Sequence, residues 1–173
     1  MNMEIKDYAA KCRTFVTMQD QDALRKYLQL GIIEEIGEVS GKIAKVIRAR
    51  GAADFTHEEK EAIVKELGDV CWFVVVSCNQ VEIIDWYIAN NNGFETGDCF
   101  IKADFAELLR VLSIVAEQRN NDVNVSACYH ALTIVYEIAK RLGYTLDEVM
   151  EKNIEKLTDR QARGVINGSG DNR

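Results

Sequence analysis

No proline occurs anywhere in the 173 residues, and this restricts the fold more than any other feature. Proline ends helices and marks turns and sheet edges. A chain that lacks it, and whose apolar residues recur at helical spacing, favours long uninterrupted helices over a strand-rich fold. The expected class is therefore all-α. The length suits a single domain, residues 1–173, with a real apolar core.

Residues 4–18 read as a first helix, with Tyr8, Cys12 and Phe15 on one side. A second runs from about Asp22 to Arg50 and is closed by Gly51, a residue suited to a left-handed cap. On a helical wheel Ile32, Ile36, Val39, Ile43, Val46 and Ile47 form its core stripe. Thr56 with Glu59 three residues on is a capping box that opens a third helix. Its core face is Ile63, Val64, Leu67, Val70, Cys71 and Val74, and after Asp69 it is apolar all round, as a buried helix would be. Residues 89–98 form the clearest loop. Helices near 103–119 and 126–142 follow, and "TLDE" at 145–148 is a second capping box that opens a last helix. Trp72, Trp86 and Tyr136 read as core, and His130 as an ordinary, partly buried histidine.

The chemistry lies in two acidic pairs, Glu35/Glu38 and Glu66/Asp69, each three residues apart and so on one face of its helix. Each pair borders an apolar stripe. If the two helices pack antiparallel, four carboxylates converge and raise one another's pKa values. A hard divalent cation such as Mg²⁺ removes that conflict and keeps positions open for water and phosphate. The plainer reading is a solvated acidic face, with Glu38 and Lys42 as an ordinary i, i+4 pair. Other metals fit poorly. No histidine stands three residues after a glutamate as a di-iron site requires, and no Cys/His cluster suits zinc. A phosphate-binding GxxxxGK[ST] loop is absent.

The net charge of −7 makes duplex nucleic acid a poor partner. Five scattered cysteines without a CxxC pair read as reduced and buried, in a cytoplasmic protein. The polar opening "MNMEIKDYAAK" is unlike a signal peptide, and the apolar run Val70–Val76 is too short to span a bilayer. No membrane association is expected.

"EEIGE" at 34–38 followed by "ELGD" at 66–69 resembles the EExxE…ExxD pattern of the MazG-type all-α nucleoside triphosphate pyrophosphohydrolases. The ending "KNIEKLTDRQARGVINGSGDNR" is similar to the closing helix and basic tail of MazG-like proteins, including phage-encoded ones. The likeness covers about residues 24–79 and 136–173. It departs in the middle, where about residues 80–130 form a helical insertion that compact relatives lack.

The resemblance implies a helical bundle that splits a (d)NTP between its α- and β-phosphates into (d)NMP and pyrophosphate. It makes Glu35, Glu38, Glu66 and Asp69 ligands of Mg²⁺, with Mn²⁺ as a possible substitute. Glu34 becomes a candidate base or second-metal ligand, and Glu38 is also placed among the catalytic groups. Lys42, Asn153, Lys156, Arg160, Arg163 and Arg173 become candidate substrate contacts, the arginines lying in or beside a basic irregular tail at 158–173. It also implies a homo-oligomer, dimer or tetramer, in the host cytoplasm if phage-encoded. The apolar run "VCWFVVVSC" points the same way, since it needs cover on every side. Alternatives within the fold are a dUTPase-like or phosphoribosyl-ATP pyrophosphatase-like activity. The alternative of another class is a non-catalytic helical interaction module.

Overall fold

The computed structural model describes residues 3–78, 80–90, 93–94, 103–117 and 125–166. Every regular element among them is a helix: α1 Ile5–Arg13, α2 Gln21–Arg50, α3 His57–Val76, α4 Val81–Asn90, α5 Phe105–Glu117, α6 Val125–Leu142 and α7 Leu146–Ala162. The fold is all-α. No single described helix is long and apolar enough to cross a membrane.

The helix ends follow local chemistry. Asp20 caps α2 by accepting from the backbone N–H of Asp22 and Ala23, and Gly51 closes it at φ 72°. Both expected capping boxes form, Thr56/Glu59 on α3 and Thr145/Glu148 on α7. The start of α1 is held from a distance: Asp85 of α4 accepts from the N–H groups of Ile5 and Lys6 at 2.7 and 2.8 Å. A carboxylate there also meets the positive end of the helix dipole.

Two helices are shorter than their apolar patterns suggest. α1 stops at Arg13. Thr14 Oγ1 then bonds the Lys11 carbonyl at 2.7 Å, and the β-branched residues Val16 and Thr17 continue outside the helix. α3 stops at Val76, where the Ser77 hydroxyl bonds the Phe73 carbonyl, and a separate α4 begins at Val81. The expected loop at 89–98 thus opens with two residues of α4. Its residues 91–92 and 95–98, the RNNDVN segment up to residue 124, and Cys99 lie outside the described residues.

α3 is the central element, packed by α1, α2, α6 and α7. From Val70 to Val75 it is buried throughout, as expected. Each such aliphatic side chain contributes about 1.5–3 kcal/mol. The cover comes from this chain's own helices, so the apolar run gives no reason to invoke a second copy. One continuous core takes residues from all seven helices, including Val81 and Ile84 of α4 and Leu108, Leu109 and Leu112 of α5. Cys12, Cys71, Cys78 and Cys128 are buried thiols within it.

Three expectations of burial fail. Ile47 is 42% exposed and Trp86 63% exposed. His130 also faces solvent, with Nδ1 3.4 Å from Ser126 Oγ. Each lies on an apolar-looking helix face that no described neighbour covers.

Candidate active site

α2 and α3 pack along their length, and α7 crosses α3. Two glycines set these approaches. A Cβ on Gly31 would lie 2.2 Å from the Phe73 ring, and a Cβ on Gly68 would lie 2.9 Å from Asn153 Cβ. Both distances are shorter than side-chain carbons tolerate, so glycine lets α2 and α7 close on α3.

A cavity of about 370 Å³ opens between these helices and residues 15–18. Its acidic lining is Glu34, Glu35, Glu38, Glu66 and Asp69. Lys156 and Arg160 of α7 line the same cavity, Lys156 in contact with Asp69. Its apolar and aromatic walls include Phe15, Tyr27, Trp72 and Phe73.

Glu35, Glu38 and Glu66 each bring an oxygen within 4.8 Å of the others. Glu66 is 1% exposed. Lys42 Nζ lies 2.9 Å from its Oε1, but off the hydrogen-bonding direction, so that oxygen has a charge contact without a directed hydrogen bond. Desolvation, then the negative charges of Asp69, Glu38 and Glu66, push the Glu35 carboxyl up to about 8. An all-oxygen donor set, a buried carboxylate oxygen without a directed hydrogen bond, and mutual repulsion fit a hard divalent cation such as Mg²⁺.

Asp69 stands outside this trio of ligand atoms. One of its oxygens accepts from Asn153 Nδ2 at 2.8 Å and the other pairs with Lys156. Burial raises its pKa, while the Lys156 charge and hydrogen bond oppose the rise. The fourth carboxylate of the expected quartet is thus at the cavity, held by two residues of α7.

The candidate substrate contacts divide. Lys156 and Arg160 line the cavity. Lys42 is drawn to Glu66, and Asn153, 2% exposed, is engaged with Asp69 and Tyr8. Arg163 pairs with Asp159 at 2.8 Å on the outer surface of α7. Glu34 is exposed at the cavity. Arg173 lies outside the described residues, as do Gly168 and Gly170. The described part of the tail folds back: Gly164 adopts φ 70°, Val165 N–H bonds the Arg160 carbonyl at 2.9 Å, and Ile166 reaches the cavity. The sequence pattern did not reveal Tyr8, Tyr27 or residues 15–18 as neighbours of the site. Only their apolar character was visible, and that signals core as readily as a cavity wall.

Residues 21–103 match the MazG nucleotide pyrophosphohydrolase domain, a span that includes all four acidic positions. The Gene 37 protein of Mycobacterium phage L5 is 24% identical over 147 residues, covering 85% of this chain and 75% of that protein. No solved structure matches.

Proposed function

We propose, from the match of residues 21–103 to the MazG nucleotide pyrophosphohydrolase domain, that this chain is a Mg²⁺-dependent enzyme cleaving (d)NTPs between the α- and β-phosphates. The observation that carries the reading is the cluster of Glu35, Glu38 and Glu66 lining one cavity together with Lys156 and Arg160. Acid groups that hold a divalent cation, in one cavity with cations that hold phosphate oxygens, suit a polyphosphate ester better than a neutral ligand.

Glu35, Glu38 and Glu66 would hold the ion, with Asp69 beside them as the fourth carboxylate. Bound there, Mg²⁺ (or Mn²⁺) supplies Lewis-acid polarisation of the phosphoryl oxygens. The chain's own groups do the rest. Glu34, exposed and close to the cluster, accepts the proton of the attacking water, with Glu38 as the other carboxylate able to orient it. Lys156 and Arg160 neutralise charge on the leaving pyrophosphate. The water oxygen replaces the α–β bridge, the bridging P–O bond breaks, and its electrons leave with the pyrophosphate. Phe15, Tyr27, Trp72 and Phe73 offer the apolar, aromatic surface on which a nucleobase stacks.

Residues 1–173 act as one domain in this reading, with α4 and α5 of the 80–130 insertion contributing to the core. A second copy of the chain is the partner we propose, supported by the exposed row Leu30, Ile33 and Ile47 on α2. Phosphorus NMR of the products from a panel of triphosphates with Mg²⁺ tests the activity. Monophosphate and pyrophosphate are expected; a diphosphate with orthophosphate overturns the α–β assignment.

A further inference from the structure

α1 precedes the residues that match the family domain, yet it reaches the site. Tyr8 is fully buried on α1, and its hydroxyl lies 2.8 Å from Asn153 Oδ1 and 3.3 Å from the Gly68 carbonyl. Asn153 Nδ2 in turn donates to Oδ1 of Asp69 at 2.8 Å. The direction of this chain is fixed by chemistry. A carboxylate only accepts, so the amide nitrogen of Asn153 must face Asp69 and the amide oxygen must face Tyr8. The Tyr8 hydroxyl must therefore donate, and it has a single proton to give.

Asp69 selects that orientation, but without the Tyr8 donor the buried amide oxygen of Asn153 loses its partner, in a torsional well that is broad and nearly two-fold, and the pose is held from one side alone. The flipped amide would set oxygen against the Asp69 carboxylate. Asp69 would then be held by the charges of Lys156 and Arg160, both of them residues that a phosphate chain would attract. Gly68 makes room for the arrangement, since a Cβ there would meet Asn153 Cβ at 2.9 Å and the Val149 carbonyl at 3.3 Å.

We propose that Tyr8 is a positioning residue: through Asn153 it fixes the orientation of the Asp69 carboxylate beside the acidic cluster. Its consequence for turnover rests on the pyrophosphohydrolase reading, whereas the hydrogen-bonded chain belongs to the resting protein.

Tyr8→Phe keeps the ring and deletes one hydroxyl. In the metal-free protein at fixed pH, the side-chain amide signals of Asn153 and the carboxyl ¹³C signal of Asp69 are expected to move. The double variant Tyr8→Phe/Asn153→Ala should give the Asp69 signal of Asn153→Ala alone. Calorimetric binding of Mn²⁺ alone should weaken by about tenfold in Tyr8→Phe, the scale seen when an outer partner of a metal ligand is lost. A variant that melts earlier but keeps the Asp69 signal and Mn²⁺ affinity of the native protein would reduce Tyr8 to core packing and overturn the proposal. Fluorotyrosine at position 8, which changes donor strength but not shape, gives the same reading should Tyr8→Phe fail to fold. A native protein that binds no Mn²⁺ would refute the catalytic reading, while the Asp69 signal would still decide the role of Tyr8.

Discussion

Replacing Glu35 with glutamine should make the metal-free protein more stable at alkaline pH and less responsive to Mg²⁺. The Glu35 carboxyl is pushed up to about 8 in the folded chain, from an ordinary value of 4.5, by desolvation first and by Asp69, Glu38 and Glu66 after it. Between those values the folded state retains a proton that the unfolded chain has released. Stability therefore falls as pH rises through this window and is level outside it, with a slope of at most about 1.4 kcal/mol per pH unit. The whole interval bounds the loss at about 5 kcal/mol. Glu35 is only partly buried, and solvent screening leaves roughly 1–3 kcal/mol of that.

Glutamine keeps the shape and cannot ionise, so Glu35→Gln should escape the loss. Urea unfolding followed by circular dichroism, in EDTA from pH 5 to 9, should show the two proteins diverging as pH rises, with the variant the more stable by about 1–3 kcal/mol at pH 9. At pH 8 added Mg²⁺ should then raise the native midpoint, because a ligand of the folded state stabilises by mass action, and should move the variant much less. Parallel stability curves across the pH range, with equal Mg²⁺ responses, would refute the claim that Glu35 sits in a repulsive cluster.

Other consequences follow from the same geometry. Glu66→Gln should weaken Mg²⁺ binding by about tenfold or more in calorimetry while leaving the helical dichroism intact, since it removes the one buried charge of the trio. Lys156→Met should raise KM for a triphosphate by about tenfold without changing the products, since a charged contact of about 1.5 kcal/mol or more is lost; unchanged KM would remove Lys156 from the substrate site. Gly31→Ala forces the Phe73 ring to move and should cost about 1–3 kcal/mol in denaturant unfolding. Leu30→Glu with Ile33→Glu should convert an oligomer to a monomer in light scattering; a native protein already monomeric at micromolar concentration would remove the proposed second copy.

What the sequence disclosed, and what it withheld, follows from the range of each interaction. Capping boxes at Thr56 and Thr145 and the glycine cap at Gly51 involve neighbours within a few residues, so the pattern alone locates them. The α2 stripe was legible for the same reason at Ile32, Ile36, Val39, Ile43 and Val46. It failed at Ile47, because a wheel gives the direction of a side chain but not where the neighbouring helix ends. The break after Val76 was hidden by composition: residues on both sides are apolar, and the hydroxyl of Ser77 on the Phe73 carbonyl is a weak local signal. Trp86 looked like core because size and hydrophobicity do not report whether any element lies opposite.

The site shows the same limit at closer range. Spacing put Glu66 and Asp69 on one face of α3, and treated them as equivalent. The fold separates them. Glu66 turns toward Glu35, Glu38 and Lys42, whereas Asp69, one helical turn on, meets Asn153 and Lys156 from α7, 84 and 87 residues away in sequence. An i, i+3 pair shares a face but not a neighbour, and a carboxylate's role is decided by what comes to meet it. Here one carboxylate is left with a charged but undirected contact and the other is fully engaged. That difference makes Glu66 the carboxylate whose replacement should first abolish metal binding, and Asp69 the one whose replacement should first disturb α7. Asp69→Asn should therefore shift the signals of Asn153 and Lys156 even in EDTA, whereas Glu66→Gln should leave them in place. The reverse pattern would mean that the two acids had been assigned the wrong way round.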